Sequence, residues 1–436
     1  MNETKKDSEK VISDETQQNI RILGINISHD ASIAVIDNGV VTSVYEEERC
    51  RRTKYWAPHG DKETLYQCIE QKNLEEIDEV VFTSFDRRQF NVVVSPTISL
   101  DRMKSREFIR KLETQQLSRA RLEELVEEYP DDFSIEKIYE NDEDQRIMDD
   151  IATNQLGLSS EEYLYNVDHH VHHAYCGFVQ SEMENALVIV MDGGGCQKYY
   201  DTHPAYQEIE SIYYATKGGM EPCWSRLSNS RFIGDFDEFF PNECHAAGLC
   251  YLDEEEHRDG VDLCFTSRPS AGMNFSNMSL ALGTDDQGRA AGKVMGMASY
   301  GKPSQNIFNK YNVSQQLELD SYDHTVEIIK RAIDYAPDCR NIVLSGGYSL
   351  NCTNNYKYLE AFPDYQIFVD PIPHDGGTAV GAALQMWENI NSNNVSNNVQ
   401  STFNETNEED NDTLPDWPEI KDDEPQITPL EWSADK

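Results

Sequence analysis

Four histidines fall within five positions, at His169, His170, His172 and His173, in a chain that holds 11 in all. Asp168 precedes them, and neither glycine nor proline follows until Gly177, so a helix accommodates the run. A helix turns once in 3.6 residues, which stacks His169 over His173 and Asp168 over His172. Two ring nitrogens on one face can hold a borderline metal ion, provided a third ligand comes from elsewhere. The same spacing also suits ordinary hydrogen-bonded histidines at a polar helix end.

Glycine-marked turns offer a second kind of chemistry. Asp192-Gly193-Gly194-Gly195 ends an apolar run, where amides unshielded by side chains can wrap a phosphate. Ser345-Gly346-Gly347 follows another apolar run and opens a helix, which turns its amides toward an anion. Asp375-Gly376-Gly377 precedes the last apolar helix, and the small residues from Gly292 to Gly301 let a helix approach a nucleotide. Together these turns point to a nucleotide cleft, although none is a phosphate-loop or dinucleotide fingerprint. Asp192 and Asp375 are carboxylates suited to metal or ribose, and Asp375 would complete the histidine pair. Ser28-His29-Asp30 joins two strands, where a histidine can reach into a cleft. The acidic run Glu46 to Glu48 leads into Arg49, Arg51, Arg52 and Lys54, an exposed edge or a clamp for a phosphate-bearing substrate.

Elements must bring these residues together. Strands are predicted over 21–27, 31–37 and 40–45, with Asn38-Gly39 as a tight hairpin turn. A helix over 62–71, a strand over 79–83 and a helical insertion over 99–148 follow. A second strand-led unit starts at 186–191, and 216–280 reads as a long irregular segment. Helices over 289–297 and 325–335, a strand over 341–344, a helix over 350–359, a strand over 366–369 and a helix over 378–387 complete the pattern. Each half begins with a buried-type strand, which is the grammar of two α/β domains flanking a cleft. The expected boundaries are a disordered lead-in over 1–19, domains over 20–185 and 186–390, and a disordered tail over 391–436. That tail holds 12 acidic and 2 basic residues.

With 79 acidic and 37 basic residues the formal charge is -42, which repels phosphate backbones and argues against a duplex nucleic-acid partner. The 10 cysteines form no Cys-x-x-Cys unit, in keeping with free thiols in a reducing cytoplasm. Residues 1–19 lack an apolar stretch, and no run reaches the 18 apolar residues of a membrane span. A cytoplasmic protein is expected, in the host cytoplasm if a virus encodes it.

Five blocks in order resemble the O-carbamoyltransferases of nodulation-factor, cephamycin and aminoglycoside tailoring, relatives of the tRNA threonylcarbamoyladenosine transferases. They are Leu23 to Ser32 with His29, Glu46 to Arg49, His169 to Ala174, Gly292 to Gly301, and Ser345 to Asn351 followed by Asp375-Gly-Gly. The resemblance implies an actin-like (ASKHA) fold of two related RNase H-like domains with a nucleotide and metal cleft between them. It implies that His169, His173 and Asp375 hold a divalent metal, often Fe(II), with Mg, Mn or Zn as alternatives. It implies that Asp192, Gly193, Gly194, Lys293, Gly296, Gly346, Gly347 and Asn351 contact ATP or AMP. His29, Asp30 and Asp192 fall in its catalytic region, where a carbamoyl-adenylate is attacked by the hydroxyl of a small acceptor and AMP leaves.

Two departures stand out. Tyr55 occupies a position where relatives carry histidine, with His59 as a substitute. Relatives continue past the last motif into a domain that makes the carbamoyl-adenylate from carbamoyl phosphate and ATP, whereas this chain enters its acidic tail. The expectation is therefore a transfer half fed by a separate adenylate-forming protein. The competing readings are an actin-like small-metabolite kinase or hydrolase, and a non-catalytic nucleotide-binding subunit of a modification complex.

Overall fold

Near-continuous apolar runs become the central strands of two sheets, as expected for strands covered on both faces. β1 (Arg21–Asn26) and β8 (Asn185–Met191) are each buried along all but their first residue. The computed structural model describes residues 19–58, 63–72, 74, 76–84, 90–94, 133–138, 142–159, 162–200, 203–228, 254–266, 268–284, 290–303 and 309–404.

In the first sheet β1 pairs antiparallel with β2 (Ser32–Asp37), which pairs antiparallel with β3 (Val40–Glu46). Asn38 and Gly39 between them both have positive φ, 51° and 79°, the hairpin geometry predicted from the Asn-Gly pair. On its other side β1 runs parallel to β4 (Glu79–Thr83), and β4 parallel to β7 (Leu164–Asn166). Between them in the chain, β5 (Phe90–Val94) and β6 (Phe133–Ile138) form a separate ribbon.

The second sheet repeats that plan. β8 lies between an antiparallel β10 (His203–Thr216) and a parallel β14 (Asn341–Ser345). β11 (Gly219–Ser228) extends the antiparallel side and β15 (Gln366–Val369) the parallel side. β9 (Gln197–Tyr200) pairs with β10, while β13 (Val261–Thr266) and β12 (Glu254–Arg258) continue beyond β11. Among the described residues, then, each sheet has a central strand flanked on one side by an antiparallel hairpin and on the other by two parallel strands, and the second sheet carries β13 and β12 beyond its hairpin.

Two helices lie where the sheets face each other. The histidine helix, His169–Ser181, packs Ala174 and Phe178 against Val188, Val190 and Val343 of the second sheet. The first turns of the helix Thr378–Asn404 lie on the first sheet: Ala379 abuts Gly24 of β1, and Trp387 lies over Gly39. The two helices cross where Gly381 meets the backbone of His172.

Several expectations need correction. The segment over 216–280 is not irregular where described: it holds β11, β12, β13 and the helix Ala271–Ala281. Buried polar side chains such as Ser225, Arg226 and Ser228 break the apolar alternation there, and Pro222 obscures a strand reading. The insertion expected as helical includes strand β6 before the helix Asp142–Ile151, while 95–132 lie outside the described residues. The helix expected over 350–359 starts at Cys352, after a tight turn at Gly347–Leu350. The last helix does not stop at 387 but continues to Asn404, so the tail expected to be disordered from 391 begins as helix. Residues 1–18 and 405–436 lie outside the described residues, as does His59.

Glu210 shows how buried charge is handled in the second sheet. It lies opposite Arg226 across β10 and β11, accepts from the guanidinium at 3.1 Å, and faces His324 Nε2 at 2.8 Å. Burial alone would raise its carboxyl, but His324 and Arg226 outweigh it and bring it from 4.5 down to about 2. Its contribution to stability is therefore full above about pH 4.5 and is lost as pH falls toward 2. Glu210→Gln should cost about 3 kcal/mol at neutral pH. The gap from wild type should close below pH 4.5 in urea unfolding followed against pH; a gap constant to pH 2 would contradict the assignment.

Candidate metal centre

The parallel strands of both sheets end close together. Asn26, Thr83 and Asn166 lie side by side at the ends of β1, β4 and β7, and Ser345 ends β14 beside Val190 of β8. The carboxyl ends of parallel strands are where α/β sheets present ligand-binding loops. From these ends leave His29 and Asp30, the histidine helix, the Asp192 turn and the Gly346 turn.

Four buried side chains converge there: His169, His173, Asp192 and Asp375 each offer a ligand atom, all within 4.8 Å of one another. The two histidine Nε2 atoms are 3.2 Å apart. His169 Nε2 lies 3.3 Å from Asp192 and 3.7 Å from Asp375, and His173 Nε2 lies 3.6 Å from Asp375. Atoms held ~2.1 Å from a common ion would be separated by roughly 3.0 Å at a right angle and 3.4 Å at the tetrahedral angle. The donor set therefore fits a divalent ion, and mixed imidazole and carboxylate ligands suit Fe, Mn or Zn.

The electrostatics agree with a site built for positive charge. Burial would raise the Asp192 carboxyl, yet the His169 hydrogen bond and the neighbouring imidazoles hold it well below the usual carboxylate range. Asp375 is likewise lowered against its burial, chiefly by His29, His169 and His173. His173 is raised despite burial, by Asp375 and Asp192.

His29 borders this cluster. Its Nε2 lies 3.2 Å from Asp375 and its Nδ1 3.2 Å from Asp30, which adopts a left-handed φ of 55°. Desolvation opposes charge on the ring, but Asp375, Asp30 and Asp192 prevail and raise it to about 9. Its side chain is 48 % exposed, against 8 % or less for the four cluster residues, so an entering molecule meets His29 first.

The other two histidines of the helix face away from the cluster. His170 Nδ1 donates to Ser211 Oγ at 2.7 Å; Ser211 and Ser225 in turn donate to Glu208. Burial lowers His170 to about 4, which matches this neutral form. His172 Nδ1 lies 2.9 Å from Thr83 Oγ1 and so joins the helix to the first sheet.

The expected nucleotide contacts divide. Asp192 Oδ1 accepts from the Gly347 amide at 3.0 Å, joining the metal cluster to the glycine turn. Gly346, at φ 85° against the Met191 backbone, admits no side chain. Gly193 faces open space beside Ser270, the N-cap of the helix Ala271–Ala281, whose hydroxyl donates to the Gly193 carbonyl at 2.9 Å. The Gly194 amide lies 3.4 Å from Asp192 Oδ2. Lys293 and Gly296 are exposed on the helix Ala291–Ala298, and Lys293 Nζ reaches the Thr284 carbonyl at 3.4 Å. Asn351 is buried: it caps the helix Cys352–Ala361 through the Asn354 amide and donates to Glu318 at 3.0 Å.

The acidic and basic run also divides. Glu47 turns inward, accepts from the amides of Gln67 and Cys68, and pairs with Arg51 at 2.6 Å. Arg51 stacks on Trp56, whereas Arg49 remains 71 % exposed. Sequence reasoning offered Asp192 to metal or ribose without pairing it with His169, which it faces, and missed His374, which contacts Glu46 at 2.8 Å. Adjacency of His374 to Asp375 was the available signal.

The chain matches the family described as carbamoyltransferase N-terminus over residues 21–338 and 323–384. Nodulation protein NolNO of Sinorhizobium fredii is 24% identical over 271 residues, 57% of this chain and 36% of that protein. An uncharacterized protein of Synechocystis sp. is 22% identical over 381 residues, 84% of this chain and 57% of that protein. Nodulation protein NolO of Bradyrhizobium diazoefficiens is 26% identical over 229 residues, 50% of this chain and 38% of its own length. The chain thus spans between a third and three fifths of these relatives. Among solved structures, HypF from T. kodakarensis overlaps 86% of this chain and 48% of its own, with 13% identity and a TM-score of 0.42. Full-length HypF in the phosphate- and nucleotide-bound form overlaps 85% of this chain and 55% of its own, with 12% identity and a TM-score of 0.39.

Proposed function

The chain belongs to the carbamoyltransferase N-terminus family, and from that premise we propose that its cleft passes a carbamoyl group from a carbamoyl-adenylate to the hydroxyl of a small acceptor. The observation that carries this reading is Asp192, which faces His169 with one oxygen and accepts the Gly347 amide with the other. A single carboxylate thereby ties a metal-type donor set to a glycine turn suited to a phosphate. In this reading the two repeated sheets are the halves of an actin-like fold, and the adenylate lies along the turns at Gly193 and Gly346.

His169, His173 and Asp375 hold the divalent ion, with Asp192 as a fourth donor in reach. When bound, it polarises the carbamoyl carbonyl as a Lewis acid. The buried residues around it exclude water, which protects the donor from hydrolysis. At the exposed edge the His29 ring already carries its proton, so within the pair the Asp30 carboxylate beside it is the group placed to receive the proton of the attacking hydroxyl. The acceptor class is a sugar, a nucleotide or a modified nucleoside, and the donor is supplied by an adenylate-forming activity. Fe(II) is the ion that the family resemblance favours.

The test is transfer from chemically prepared carbamoyl-adenylate to a panel of such hydroxyls, read by mass spectrometry of product and AMP. Acceptor-dependent AMP release is expected, and Asp192→Asn should lower it by about 10- to 100-fold. AMP release at the same slow rate with every acceptor would contradict transfer and favour a nucleotide-binding subunit. Phosphorylated product from ATP would favour a kinase.

A further inference from the structure

Asp375 reaches the cluster from a short glycine turn, and its neighbour His374 ties that turn to the first sheet. His374 Nδ1 accepts the Gly376 amide at 3.1 Å, so the ring carries its proton on Nε2 and donates to Glu46 Oε1 at 2.8 Å. The other oxygen of Glu46 accepts from Arg49 Nε at 2.7 Å. Both oxygens are thus committed, and the carboxylate plane is fixed.

Glu46 ends β3 and stands at the N-cap of the helix Glu47–Arg51. A side chain there ordinarily accepts from the first helical amides. Glu46 makes no such capping bond and is turned to His374 instead. Directly opposite it, Ser32 of β2 donates to the Gly376 carbonyl at 2.8 Å, and Asn26 of β1 donates to the Asp375 carbonyl at 3.1 Å. Ser32 and Asn26 hold the backbone of the turn. Glu46 alone of the three grips a side chain of the turn, that of His374, and Gly376 has no Cβ that would collide with the folded-back ring.

We propose that Glu46 and His374 are positioning residues that set the Asp375 carboxylate for its metal, with Arg49 fixing Glu46. The proposal rests on the metal reading of the cluster given above. Without the pair, the turn keeps its backbone anchors but the residue bearing the ligand gains torsional freedom. Partners one shell outside a metal typically contribute about 10- to 100-fold in affinity.

Co(II) titration of the metal-free protein, followed by its visible absorption, separates positioning from general structure. Glu46→Ala should weaken Co(II) binding by about 10- to 100-fold and alter the absorption envelope, with the metal-free melting temperature near wild type. Glu46→Gln keeps an acceptor for His374 and should stay near wild type; His374→Leu should behave as Glu46→Ala. Unchanged Co(II) affinity in Glu46→Ala would overturn the proposal, as would equal losses in the alanine and glutamine variants. If the wild-type protein itself fails to bind Co(II), the metal reading fails, and this proposal falls with it.

Discussion

His173→Ala should weaken divalent-metal binding by about 100-fold or more, since a ligand contributes at least what the outer partners do. His173 Nε2 faces both His169 and Asp375, and no other described imidazole joins the two at that point. The loss has a second signature. A bound ion stabilises the folded protein by mass action, so chelation should lower the melting temperature of wild type. The same chelation should leave His173→Ala unmoved. Asp375→Asn, close in shape, should show the same loss of chelator response. If chelator shifts both variants as much as wild type, the metal does not lie at this cluster.

Gly381→Ala should destabilise the fold by more than about 4 kcal/mol, a range reached only by specific mechanisms such as overpacking or backbone clash. A Cβ at position 381 would fall far inside contact distance of the His172 carbonyl, and every near atom belongs to backbone. Neither helix can yield: the histidine helix is packed on the second sheet, while the helix carrying Gly381 has its Ala379 against β1. Gly292→Ala provides the contrast. Its Cβ would enter open space on an exposed helical position, so the change should be neutral or stabilising by up to about 1 kcal/mol. Urea unfolding of the two variants checks the pair; equal midpoints would refute the crossing geometry.

Local patterns explain what was legible in the sequence. β1 and β8 are apolar runs with few alternatives, and Asn38-Gly39 has little choice but a hairpin turn. His169 and His173 share a helix face by spacing alone. Asp375 was nominated by its glycine turn, and the structure brings it to the same point. The rest depends on contacts between distant segments. Asp192 joins the cluster because β8 ends where the histidine helix begins, a fact of sheet order that spacing does not carry. Glu46 reads only as part of an acidic edge or clamp and His374 carries no signal of its own; only the meeting of β3 with the Asp375 turn pairs them. The strands from β11 on were obscured by buried Ser225, Arg226 and Ser228, whose polar partners replace the apolar contacts that periodicity detects.

The most direct measurement is anomalous diffraction from crystals grown with Fe(II) and a non-hydrolysable carbamoyl-adenylate analogue. The expected result is one strong peak about 2.0 to 2.3 Å from His169 Nε2, His173 Nε2 and an Asp375 carboxylate oxygen, with the analogue's phosphate against the Gly193 and Gly346 turns. A peak elsewhere, or a loaded nucleotide with no metal at these three side chains, would contradict it.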